Sequence, residues 1–472
     1  MSHALRLTLL LTACGHPPNP SEPEETDDTA PPTTCPGYTL DVDPDRWALP
    51  ADAPSLAFGN VHQEASCAVG RDAAQLVDLT GDARPDLVLT TDCDDPEVGS
   101  KRWRVWPGVD GGFGAELSWA LPDGQDADAF AGLSRAAASC GEDTQLPAFF
   151  LADMDGDTRQ DLVLTEDCTD ETLANGTWRV HTNSGAGFDL PQDRVVTTTR
   201  TTGAFVAPVD TPTCSDLFDR PAWGLADLDG EGGAEIVVTK SCTDPLVGEE
   251  AWERIEPGTP EAVRWPIPRL IDGTTLARSY YTCPTAPAHF PLDLSGSGRP
   301  DLIIPYACDT VSTQWTVFAN DGSRHLPLAT QVEAPLYLGY SIVVPERVET
   351  TCTSSQLAWT LDDSDGDARV DILLTASCTD TAVGETRWDL WRGDERGWLE
   401  QHAVPLPRGY SPGTFAGSRG EEPGCGGTAN RPAWLRVDLD GDGAAEIVVT
   451  RDCDDPTVGV DHWRVYPLTC TG

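Results

Sequence analysis

Six times along this chain a nine-residue stretch of acid and glycine begins fifteen residues ahead of a cysteine. The stretches start at Asp78, Asp153, Asp227, Asp293, Asp363 and Asp438, and read DLTGDARPD, DMDGDTRQD, DLDGEGGAE, DLSGSGRPD, DSDGDARVD and DLDGDGAAE. A short apolar run such as LVLT or IVVT follows each one. Ten residues past the cysteine stands a tryptophan in five copies: Trp103, Trp178, Trp252, Trp388 and Trp463. The fourth copy is shorter and places Trp315 seven residues after Cys308. So regular a register restricts the chain to a repeat array, in which each unit buries its apolar faces against its neighbours. The period of 66–75 residues is too long for leucine-rich or tetratricopeptide units and suits a four-stranded blade.

The loop spacing carries its own chemistry. Oxygens at positions 1, 3, 5 and 9, with a backbone carbonyl near 7, can wrap one hard cation, and glycine at position 4 permits the tight turn. Calcium accepts six to eight oxygens with tolerant geometry, whereas magnesium resists losing its waters. An EF-hand would need a bidentate glutamate at position 12, where this chain has only apolar residues (Leu89, Leu164, Val238, Ile304, Leu374 and Val449). Three loops have complete acidic sets: Asp153, Asp155, Asp157 and Asp161; Asp363, Asp365, Asp367 and Asp371; and Asp438, Asp440, Asp442 and Glu446. Two are expected to bind more weakly, one with Asp78, Thr80, Asp82 and Asp86, the other with Asp227, Asp229, Glu231 and Glu235. The loop at 293–301 has Ser295 and Ser297 in place of acids and is expected to hold none. The reading is of structural Ca2+ at up to five sites.

Fifteen cysteines is an odd number. Leu11-Thr12-Ala13-Cys14, after a short apolar stretch, resembles the lipobox of bacterial lipoproteins, which implies a lipid on Cys14 and an extracytoplasmic domain at the outer membrane or cell surface. Fourteen cysteines then remain, and a single rule accounts for all of them. Each repeat carries one bridge (Cys67–Cys93, Cys140–Cys168, Cys214–Cys242, Cys283–Cys308, Cys352–Cys378, Cys425–Cys453), and Cys35–Cys470 joins the ends. Bridges in this number fit an oxidising compartment. Residues 1–14 are read as signal and lipidation site, 15–34, rich in Pro, Thr and acid, as an extended tether, and 35–472 as the folded array.

The unit resembles the FG-GAP/VCBS repeat of integrin-α-type propellers, on the strength of the DxDGDGxxD loops and of segments such as Trp178 to Phe188 (WRVHTNSGAGF). That resemblance implies an all-β, six-bladed β-propeller with calcium in its loops. Trp47-Ala-Leu-Pro50 precedes Cys67 at the spacing, within one residue, at which Trp119-Ala-Leu-Pro122 precedes Cys140, while the last repeat stops soon after Trp463. The N-terminal strand is therefore expected to complete the last blade. The tryptophans are read as blade packing.

The net charge of −46, from 77 acidic and 31 basic residues, repels nucleic acid and anionic lipid, leaving membrane contact to the lipid anchor. No catalytic constellation is visible: the eight histidines are scattered and the acids belong to the loops. Arg392-Gly393-Asp394 spells RGD where other repeats have hairpin turns, and is read as a turn. The expected role is a surface binding or adhesion scaffold whose partner is a protein or a polysaccharide. A lectin-like polysaccharide binder is the alternative, and a calcium-dependent polysaccharide lyase a more distant one.

Overall fold

The computed structural model describes residues 37–470 apart from internal stretches, the longest being 269–287, 334–345 and 348–357. Cys14, the 15–34 segment, Cys35, Cys283, Cys308 and Cys352 lie outside the described residues.

Six sheets, each built on four antiparallel strands, form the expected six-bladed propeller. Blade one runs Ala73–Val77, Asp86–Thr91, Arg102–Trp106 and Leu117–Ala120. Blade two runs Ala148–Ala152, Asp161–Glu166, Thr177–His181 and Gln192–Val195. Blade three is Ala222–Ala226, Glu235–Lys240, Ala251–Glu256 and Thr259–Pro266; blade four is Ala288–Leu292, Asp301–Tyr306, Gln314–Phe318 and Thr330–Glu333. Blade five has Ala358–Asp362, Asp371–Ala376, Arg387–Trp391 and Gln401–Pro405, with Glu346–Arg347 added along its first strand.

The second strand of each blade is the apolar run, and alternation explains why it is apolar throughout. Successive side chains on a strand point to opposite faces, and in a ring both faces meet a neighbouring blade. Leu87 packs towards blade six and Val88 towards blade two. The same split recurs at Leu162/Val163, Ile236/Val237, Leu302/Ile303, Ile372/Leu373 and Ile447/Val448. The core is accordingly divided into six clusters, each lying between two adjacent blades, and the sixth joins Val448 and Trp463 of blade six to Leu76 and Leu87 of blade one. That cluster closes the ring.

Closure uses the N-terminal strand, as the repeated Trp-Ala-Leu-Pro had indicated. Blade six comprises Ala433–Val437, Glu446–Arg451 and His462–Tyr466, with Asp45–Ala48 as its outer strand and Trp47 opposite Trp463. Tyr38–Leu40 pairs antiparallel with Leu468–Cys470. A hairpin from blade one, Gly108–Val109 with Gly112–Phe113, extends the blade-six sheet: Ala48 pairs with Gly112, and its amide donates to the Gly111 carbonyl at 2.9 Å.

The six repeat tryptophans are buried, which supports the packing role. A buried indole N–H needs an acceptor, and the fold supplies the same one repeatedly. Trp103 donates to the Phe130 carbonyl at 2.9 Å, Trp178 to Phe205 at 2.9 Å and Trp388 to Phe415 at 2.8 Å. Trp463 donates to Phe58 at 2.9 Å, so this contact too crosses the closure.

Four bridges occupy the expected positions: Cys67–Cys93, Cys140–Cys168, Cys214–Cys242 and Cys425–Cys453. Each ties the segment before a blade's first strand to the end of its second. Cys378 is also disulfide-bonded.

Blade four contributes two buried histidines to the interface with blade three. Trp265 Nε1 donates to His325 Nδ1 at 3.2 Å, so His325 Nε2 carries the proton and donates to the Pro300 carbonyl at 3.2 Å. Burial pushes both imidazoles down from the usual 6.5 to about 4, and at His289 the neighbouring His325 adds to the effect. Between those two values the unfolded chain binds more protons than the folded one. The stabilisation is therefore complete above pH 6.5 and is lost as pH falls towards 4, by about 3 kcal/mol for each histidine. Relative to a His289→Phe variant, the wild type should lose denaturant resistance across that window; parallel pH profiles would refute the assignment.

Candidate metal-binding rim

Each acidic loop links the first strand of a blade to its second, and its end residues build its shape. The position-1 aspartate accepts amides from three and five residues on: Asp153 takes Gly156 and Thr158, Asp227 takes Gly230 and Gly232, and Asp438 takes Gly441 and Gly443. The position-9 carboxylate turns inward and accepts amides from the loop start, as Asp161 does from Met154 and Glu446 from Leu439. Position 4 is left-handed in every copy, with φ of 69–80° at Gly81, Gly156, Gly230, Gly296, Gly366 and Gly441, a region that glycine enters without steric cost.

Glycine has a second reason to stand there. A Cβ on Gly156 would lie 3.0 Å from the Glu231 carbonyl oxygen, one on Gly366 3.1 Å from that of Asp442, and one on Gly441 3.2 Å from that of Ala83. The loops of blades two and three, five and six, and six and one thus touch backbone to backbone, while Gly81 and Gly230 face the side chains of Arg159 and Arg299, on an acid-rich rim.

Four loops bring carboxylate oxygens within 4.8 Å of one another, close enough to hold a metal ion. The fullest set is Asp438, Asp440, Asp442 and Glu446; the others are Asp153, Asp155 and Asp161; Asp227, Asp229 and Glu235; and Asp363, Asp365 and Asp371. Position 5 therefore joins only in blade six. Asp157 is paired with Arg159, Asp367 is paired with Arg392, and Glu231 is exposed. In the first loop Thr80 spends its hydroxyl on Asp86 at 3.3 Å, and Asp78, Asp82 and Asp86 do not converge. At 293–301 Asp293 accepts the Ser297 and Gly298 amides, and no convergent set forms among the described residues.

Electrostatics mark the same loops. Burial pushes Asp86 up to about 6, Asp161 to about 7, Glu235 and Glu446 to about 8, and Asp371 well above the carboxylate range, against the pull of their amide donors. Negative charge is concentrated here, and arginines offset only part of it. A divalent cation would supply a counter-charge and release protons on binding. The fit differs between loops. The 438–446 loop presents four carboxylates, and no described arginine forms an ion pair with them. In the 363–371 loop, Arg392 approaches Asp365 at 2.5 Å and Asp367 at 2.8 Å, while Asp365 Oδ1 stays buried without a partner.

Two other sequence features resolve as structure. The aspartate two residues past the cysteine accepts an amide two residues on and an arginine from the third strand, as in Asp95 with Glu97 and Arg102, or Asp455 with Thr457 and Arg464. In the RGD tripeptide, Arg392 faces the loop and the Gly393 amide donates to Asp371 at 2.8 Å, while Asp394 lies outside the described residues. Tyr410, Tyr466 and Arg464 also meet, with the phenol oxygens 3.2 Å apart. Burial pushes both phenols up, so neither offers an ionised base near neutral pH.

Sequence reasoning missed two contacts. The Phe carbonyl partners stand 27 residues after Trp103, Trp178 and Trp388, an interval visible in the chain. Arg159 lies in its own loop, but Arg254 and Arg392 reach the loops from elsewhere in their blades, and only Arg254 had a signal, as the one charged residue in an otherwise aliphatic column.

No family model and no curated protein matches the chain. Among solved structures, it is similar to an Agrocybe aegerita lectin described as recognising non-reducing terminal N-acetylglucosamine, at 18% identity and a TM-score of 0.39, covering 74% of this chain and 69% of that one. It is also similar to the Photorhabdus luminescens Tc holotoxin pore, at 16% identity and a TM-score of 0.47, covering 92% of this chain but only 15% of that one.

Proposed function

We propose that this chain is a calcium-stabilised β-propeller, held outside a bacterial cell by a lipid on Cys14, that serves as a rigid binding and adhesion scaffold. The observation that carries the proposal is the convergence of Asp438, Asp440, Asp442 and Glu446 on a rim built of touching loops. Several carboxylates with backbone carbonyls nearby suit calcium, whose coordination is tolerant, better than magnesium. An ion on this rim would neutralise carboxylates that otherwise repel one another across adjacent blades, so its role is to hold the binding surface in shape.

Chelator should lower the melting temperature of the oxidised protein, and calcium but not magnesium should restore it. Each occupied site contributes about 2.7 kcal/mol when free calcium is a hundredfold above its dissociation constant. Identical melts in chelator and calcium would refute the metal reading.

One feature favours a polysaccharide as the partner. A cavity of about 370 Å³ opens between blades one and two, lined by Leu121, Pro122, Gln125, Asp167, His181 and Leu190 among others. Leu190 is 86% exposed at this site, and Gln125 donates to Asp167 at 3.0 Å. Apolar surface beside fixed polar groups suits a sugar ring. A glycan array probed in calcium and in chelator tests this: calcium-dependent hits support it, and a blank array directs the search to protein partners.

A further inference from the structure

Two residues past the repeat tryptophan, the third strand carries a buried aliphatic residue in five blades: Val105, Val180, Val317, Leu390 and Val465. Blade three has Arg254 there. A guanidinium in such a column is expensive to desolvate unless its charge is matched and its donors are used. Arg254 is matched by the acidic loop of its own blade. Its Nη1 pairs with Asp229 Oδ2 and lies 3.1 Å from Glu235 Oε1. Its guanidinium carbon stands 5.8 Å from the Trp265 ring.

Asp229 and Glu235 are positions 3 and 9 of the loop, two of the three carboxylates that converge there. Their side chains are only 21% and 7% exposed. A divalent cation would have to sit between the same two oxygens, so guanidinium and ion compete for one place, and like charge disfavours their sharing it. In blade six the column residue is Val465, and the four-carboxylate set stands clear of it.

We propose that Arg254 is a tethered counter-cation for the 227–235 loop, which consequently holds no calcium while the loops at 153–161 and 438–446 do. The sequence alone attributes weakness in this loop to Glu231 and Glu235, but Glu446 occupies position 9 in the fullest set, so glutamate at position 9 is not the cause. The inference rests on the calcium reading above, and it adds that the blade-three loop carries its positive charge covalently and is indifferent to chelation.

Calorimetric calcium titration of the oxidised, full-length protein tests it with two variants. Asp229→Asn should leave the number of calcium ions bound unchanged from wild type, and Arg254→Val should raise it by one. Loss of one ion in Asp229→Asn would overturn the proposal, as would a folded Arg254→Val protein that gains none. If Arg254→Val does not fold, the Asp229→Asn arm decides alone. A wild type that binds no calcium at all would refute the calcium reading instead, and Arg254→Val would then show whether removing the guanidinium creates a site.

Discussion

A chain lacking residues 37–50 should fail to hold a closed ring and should melt far below the intact protein. The segment contributes Tyr38, Leu40, Trp47 and Leu49, all buried, to the clusters on either side of blade six. At about 1.5–3 kcal/mol for each large side chain, the loss is on the order of 10 kcal/mol, comparable to the whole stability of an ordinary domain. Deletion also bares the edge of His462–Tyr466, and unpaired edges recruit other chains, so soluble aggregates should accompany the drop. The segment supplied as a separate peptide should restore the melt, and the same peptide with Trp47→Asp should not. A truncated protein that melts with the full-length one would disprove closure by this strand.

Loss of the disulfides should be nearly as severe. The four described bridges span 26 or 28 residues, and a loop of that length is worth about 3–4 kcal/mol on the chain-entropy account. Replacing Cys140 and Cys168 together by serine should cost about that amount in denaturant unfolding. Full reduction should remove several such contributions at once and leave a strongly acidic chain, net −46, to expand under its own repulsion. Added salt should then recover part of the structure. Equal unfolding midpoints for the double-serine and wild-type proteins would show that the bridge is incidental.

Most of the architecture was legible before the structure, because the repeat writes each element six times. The apolar run after each loop, the glycine at position 4 and the second Trp-Ala-Leu-Pro all translated directly into strand, turn and closure. Non-local contacts were not legible. Nothing near Gly108–Phe113 indicates that this hairpin of blade one joins the sheet of blade six, since the contact depends on the ring being closed. The metal loops were legible as a set but not individually. At Asp367, whether the position-5 acid faces an ion or an arginine depends on a side chain from outside the loop, Arg392. Arg254 could have been found by aligning the third strands, where a charge interrupts an aliphatic column.

The closing strand also imposes an order in time. Asp45–Ala48 is synthesised long before the strand it pairs with; Arg46 meets His462 across 416 positions. At ordinary translation speeds that interval is on the order of tens of seconds. For all of it Trp47 lacks Trp463, the residue opposite it, and blades one to five can assemble only as an open arc. Such a chain gains by remaining unfolded, or bound to a holdase, until its last strand is made.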